Sequence, residues 1–161
     1  MAQADYFLKL DGITGESQDA KHRDEIELLS AGFGVVSSGP AGPGRGTNNP
    51  GKLQDIIITK RTDKSSTALM QFSVSGKVIK KGKLTFRKSG EPDPLEYLTI
   101  ELENVIVTSF TMTTDTKGNP VESLTLSFTR MTVTYIPQGS TGGPGGGATT
   151  FVYDANIPGT K

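Results

Sequence analysis

Apolar and polar positions alternate along most of this chain. Tyr6, Leu8 and Leu10 share one face of a short predicted strand, which Asp11 and Gly12 turn. Ile26 and Leu28 oppose Glu25 and Glu27, predicting a half-buried strand that continues through Ala31, Phe33 and Val35. Gly32 and Gly34 inside it mark a bend or close packing. Gly15–Asp24, between these two strands, is almost wholly polar and reads as an exposed connection. From Leu53 to Lys60, Ile56 and Ile58 alternate with Asp55, Ile57 and Thr59, and the strand runs into a helix predicted from about Ser65 to Val74. Asp63 or Ser65 can accept hydrogen bonds from the first free amides of that helix, Ala68, Leu69 and Phe72 form its apolar face, and Gly76 suits its C-terminal cap.

The rest reads as a meander. Leu84 and Phe86 alternate with charges over Lys83–Lys88. Leu98, Ile100 and Leu102 share a face over Leu95–Leu102, and Val105–Met112 is a further strand. The stretch Thr114–Pro120 is a hairpin connection. From Glu122 to Tyr135 the apolar parity switches from Leu124, Leu126 and Phe128 to Met131, Val133 and Tyr135, which predicts a bulge or a change of buried face near Thr129 and Arg130. A terminal strand lies around Phe151–Tyr153. About eight short strands with one helix predict a mainly β sandwich or barrel. Its sheet edges need either closure or pairing with other subunits. Two Gly/Pro-rich tracts, 38–51 and 139–148, build no packed element; the first is either an arm that docks on a neighbour or a loose insertion.

Composition narrows the chemistry. The 161 residues suit a single domain spanning 1–161. With 17 Lys+Arg against 17 Asp+Glu there is no bulk field to attract nucleic acid or an anionic membrane. The absence of Cys and the single His remove disulfides, thiolate nucleophiles and Cys/His zinc sites. No secretory leader pattern and no run of spanning length is present, so synthesis as a soluble cytoplasmic protein is expected. Gly46–Lys52 has the glycine and lysine spacing of a phosphate-binding loop, but Leu53 stands where Ser or Thr would hold magnesium, and a strand follows in place of a helix. His22 sits among Lys21, Arg23 and Asp24 and reads as a solvated loop residue. The pairs Glu25/Glu27 and Glu101/Glu103 fall on polar strand faces and read as solubilising charge. No catalytic, metal or cofactor-binding residue is expected.

The order of the blocks Phe7–Ser17, Lys21–Ser30, Gln54–Leu69, Gly82–Gly90, Glu96–Ser109 and Glu122–Gln138 resembles the haemolysin-coregulated protein (Hcp) family of type VI secretion systems. The resemblance implies a compact β-barrel of two antiparallel sheets flanked by one short α-helix, assembling into a hexameric ring. Rings of that family stack into the inner tube of a contractile injection machine, which is expelled into target cells and carries small effector proteins in its lumen; no catalysis is implied. Implied partners are further copies of the chain, the sheath, spike and baseplate proteins, and the effectors, with no nucleic acid and no membrane insertion. Implied export is through the type VI system. A phage or other contractile-particle tail tube is the alternative, and a small nucleotide-binding protein a more distant one. The family departs here in its tryptophans, replaced by Ala31 and Phe33, and in the tract after them. The resemblance assigns that tract, with Arg45, Thr47, Asn48 and Asn49, to ring stacking. Ser30 and Gly32, opposite Ala31 and Phe33 at strand period, are the candidate lumen-facing patch, and Asp63, Lys64 and Ser65 are a candidate helix cap or subunit contact.

Overall fold

The apolar runs Leu98–Leu102 and Val105–Val107 have opposite parity, yet they belong to one continuous 19-residue strand. The extra residue that keeps both runs facing inward sits at Glu103–Asn104, where Asn104 adopts φ 53°, a conformation that asparagine tolerates better than most residues. A computed structural model describes residues 4–37, 51–88, 94–139 and 145–156. In chain order its elements are β1 (Ala4–Leu10), β2 (Ile26–Leu28), β3 (Ser30–Gly32), β4 (Val35–Val36), β5 (Lys52–Leu53), β6 (Ile56–Arg61), α1 (Ser66–Ser75), β7 (Ile79–Lys88), β8 (Glu96–Thr114), β9 (Pro120–Ser127), β10 (Arg130–Tyr135) and β11 (Thr149–Asp154).

Strand β8 belongs to two antiparallel sheets. Its first half pairs with β7 and β10, and β7 leads on to β1 and β2. Its second half pairs with β9, which leads to β6 and β3. The parity switch predicted near Thr129 is the break between β9 and β10. It meets the bend in β8 directly: Thr129 N–H donates to Glu103 O at 3.0 Å, and the Asn104 side-chain amide donates to Thr129 Oγ1 at 2.9 Å. On the opposite side β2 and β3 are separated by Leu29 alone, so the two ends of the strand order are consecutive in the chain.

The inward faces meet in one apolar core. Leu8, Ile26, Ile56, Ile58, Leu84, Ile100, Leu124 and Leu126 are each no more than 2% exposed, and each such burial contributes about 1.5–3 kcal/mol. Helix α1 adds Leu69, fully buried, with Ala68 and Phe72 half-buried beside it. Gly76 closes the helix at φ 65°, a conformation costly for any residue with a Cβ.

Several expectations need correction. The strands number eleven among the described residues rather than about eight, because short pairings such as β4–β5 leave little apolar signal. Val105–Met112 is not separate from Leu95–Leu102 but part of β8. Phe33 and Val35 are not core residues: they are 41% and 61% exposed, because the chain leaves the second sheet at Gly32 and Val35 joins a two-strand ladder. The polar stretch 15–24 is not simply exposed either, since Ser17 and His22 are buried.

Candidate assembly surfaces

The two sheets present unlike outer faces. On the second sheet, register places Gly32, Ile57, Thr125 and Ser109 in one cross-strand row, and Ser30, Thr59, Ser123 and Thr111 in the next. Neither row carries a charge. The hydroxyls bond across the strands, Ser30 Oγ lying 2.5 Å from Thr59 Oγ1 and Ser109 Oγ 2.6 Å from Thr125 Oγ1. At the bulge in β8, Thr108 Oγ1 donates to Asp55 at 2.7 Å. The candidate patch Ser30 and Gly32 is therefore the exposed edge of a hydroxyl-rich stretch of that face, with Asp55 at one end and the exposed Arg61 in the next row at the other. On the first sheet the rows are charged: Lys9, Lys83 and Glu101 align, as do Lys81, Glu103, Arg130 and Asp154.

Part of that charged sheet is covered by the stretch 15–24. Phe7 points outward yet is only 3% exposed. The His22 ring stacks on it with centroids 4.4 Å apart, and the Arg87 guanidinium lies 4.8 Å from the centroid of the same ring. Arg87 grips both carboxylate oxygens of Asp19, one at 2.9 Å, and reaches Asp5 at 3.3 Å. This hydrogen bond from Arg87 holds the Asp19 carboxyl below the usual aspartate range. The two His22 ring nitrogens lie 2.9 Å from Glu25 and 2.5 Å from Glu96. His22 is thus no solvated loop residue; stacking and hydrogen bonding to Glu25 and Glu96 hold it in place, and neither leaves a periodic signal in sequence.

At the junction between β6 and α1 the charges separate into buried and exposed groups. Lys60 belongs to the inward row of β6 and is fully buried, with its ammonium 2.7 Å from Glu122 Oε1, 3.0 Å from Asp63 Oδ1 and 3.1 Å from Ser66 Oγ. Glu122, directly opposite Lys60 on β9, is fully buried as well. Asp63 Oδ1 also accepts from the Ser65 amide at 2.8 Å and from the Ser65 hydroxyl, while the Asp63 amide donates to Ser66 Oγ at 3.0 Å. Ser65 occupies the position before the helix without a side-chain cap bond of its own. The exposed Lys64 donates its amide to Glu16 at 2.8 Å. Sequence reasoning missed Lys60, Glu122, Asp19 and Arg87 as a structural set. For the first pair a signal existed, since Lys60 and Glu122 both stand at inward positions of their strands.

Arg45, Thr47, Asn48 and Asn49 lie outside the described residues. The chain leads toward them through β4 and β5, whose exposed Val35 and Val36 pair with Leu53 and Lys52. Among the described residues no cluster of three or more His, Asp or Glu side chains is placed to hold a metal ion, and no helix is long and apolar enough to cross a membrane.

Comparison with known proteins gives a consistent picture. Residues 7–135 match the family described as "Type VI secretion system effector, Hcp". The chain is 38% identical over 154 residues to Protein hcp1 of Pseudomonas aeruginosa, covering 93% of this chain and 94% of that one. The crystal structure of Hcp1 from Salmonella typhimurium superposes with a TM-score of 0.80 at 32% identity, covering 98% of each chain. That of a type VI secretion system effector from Yersinia pestis gives a TM-score of 0.76 at 34% identity, covering 93% of this chain and 99% of the other.

Proposed function

The chain belongs to the Hcp family, and from that premise we infer that it is a secreted structural subunit of the type VI secretion tube, with its two unlike sheet faces divided between the inside and the outside of that tube. The observation that carries this reading is the match over nearly the whole chain, in sequence and in fold together. Self-assembly belongs to the family. For this chain we read the assembly as a hexameric ring of closed β-barrels that stacks into the tube. The balance of 17 basic and 17 acidic residues supports stacking without strong self-repulsion.

The two hydroxyl rows bearing Ser30 and Gly32, which carry no charge, suit the lumen. A wall of hydroxyls offers hydrogen bonds to many protein surfaces without the strong charge attraction that would arrest a moving effector. The charged outer face of the first sheet suits the exterior, toward sheath and baseplate. The segment with Arg45, Thr47, Asn48 and Asn49, reached through the β4–β5 ladder, is read as the stacking arm, and Lys64 at the helix start as a subunit contact.

Light scattering and negative-stain images of the purified protein test the assembly: a mass of about six chains and ring-shaped particles are expected, whereas a strict monomer at high concentration refutes it. Because the chain has no Cys, Ser30→Cys tests the face. A small maleimide should label it in rings and tubes alike, while a maleimide on a bulky polymer should react with dissociated subunits and be excluded from tubes. Equal labelling by both reagents in tubes would place Ser30 outside the lumen.

A further inference from the structure

Helix α1 carries no charged side chain between Ser66 and Ser75, although much of it faces outward. Met70 and Val74, one turn apart, are 40% and 90% exposed, and Val78 just beyond the helix is 47% exposed. A helix face turned to water ordinarily carries charge. Exposed large apolar side chains on a charge-depleted surface have the composition of an interface core.

A matching depression lies elsewhere on the same chain. A cavity of about 230 Å³ is walled by residues including Phe33, Ile56, Leu84, Phe86, Leu98 and Ile100, and none of its lining residues is charged. Four other depressions all have charged side chains in their walls. The apolar cavity and the apolar helix face sit at opposite ends of the strands. Ile56, in the cavity wall, begins β6, and α1 follows its far end at Arg61; Val78 precedes β7, and Phe86, again in the wall, lies about 26 Å farther along the chain direction of that strand.

We propose that the Met70–Val74–Val78 face of one subunit seats against the Phe33-rimmed cavity of a second copy, making a head-to-tail contact that propagates along the strand direction. The partner is a second copy because the chain belongs to a self-assembling family, and because two unlike patches at opposite ends of one molecule are both satisfied only by head-to-tail repetition. The contact rests on the tube-subunit reading and adds to it the surfaces that join copies.

The test uses two variants of the full chain, Val74→Asp and Phe33→Asp, each at an exposed position and each checked for wild-type circular dichroism. By sedimentation velocity and negative stain, each variant alone should need more than about tenfold higher concentration than wild type to form long assemblies, because a charge then opposes an apolar surface. Mixed in equal amounts, Val74→Asp supplies an intact cavity and Phe33→Asp an intact helix. The mixture should form particles of twice the mass of either variant alone and grow no further. Wild-type assembly by Val74→Asp, or no doubling in the mixture, overturns the contact while leaving the tube reading standing. A wild-type chain that stays monomeric at every concentration removes both.

Discussion

Replacing Lys60 by Met isolates the energetics of the buried junction under the helix. Lys60 and Glu122 are both fully buried, and the ammonium also touches Asp63 and Ser66. Methionine keeps the apolar stem but removes the charge, which leaves the Glu122 carboxylate enclosed. Among the described residues Glu122 Oε2 already lacks a hydrogen-bond partner, so the remaining oxygen cannot shift its loss to a neighbour. Breaking a buried pair from one side costs about 3–5 kcal/mol. For a chain of this size that corresponds to a fall of roughly 10 °C in Tm. Lys60→Met/Glu122→Leu removes both charges and should regain most of the loss, since isosteric apolar replacement of a buried pair is close to neutral. The assay is urea unfolding of wild type, both single variants and the double variant at a fixed protein concentration, analysed as a cycle. Hydrogen exchange should show the added opening concentrated at the start of α1, where Asp63 and Ser66 lose their shared cation. If Lys60→Met lies within about 1 kcal/mol of wild type, or if the two single losses simply add, the reasoning that this pair pins the helix is refuted.

Three further outcomes follow from other parts of the fold. Leu69→Ala, which empties the single fully buried apolar position of α1, should destabilise by about 2–5 kcal/mol in the same urea assay, and a loss under about 1 kcal/mol would mean that the helix is not anchored through it. Gly15→Ala drives a Cβ into the Glu25 carbonyl oxygen; the backbone must shift, at a cost of about 1–3 kcal/mol readable as a lower Tm. Because the folded-state pKa of Asp19 is lowered by Arg87, its stabilising contribution is fully present above the ordinary aspartate pKa and is lost as pH falls through the lowered value, so hydrogen-exchange protection of residues 15–24 should decline below about pH 4. Arg87→Met should weaken that protection at neutral pH and flatten the decline; an unchanged pH profile would count against Arg87 as the cause.

The alternation of apolar residues determined by itself the strand character of most segments, the single helix with its Gly76 end, and the corner near Thr129. Each depends on a local period or a local conformational preference. Ordered blocks spread over the chain also carried the family. What the sequence could not decide were pairings between distant positions. Two runs of opposite parity became one strand because Asn104 absorbs a residue where the two sheets share it. Lys60 was only the end of a predicted strand until β9 set Glu122 opposite it, and His22 looked solvated until Phe7, Glu25 and Glu96 converged on its ring. Phe33 and Val35 matched the strand period but left the core, because the chain departs from the second sheet at Gly32. The contrast between a hydroxyl face and a charged face, and the placement of an apolar cavity and an uncharged helix at opposite ends of the strands, arise only from tertiary register. Periodicity fixes which side chains share a face of one strand, but strand pairing across tens of residues decides what that face meets.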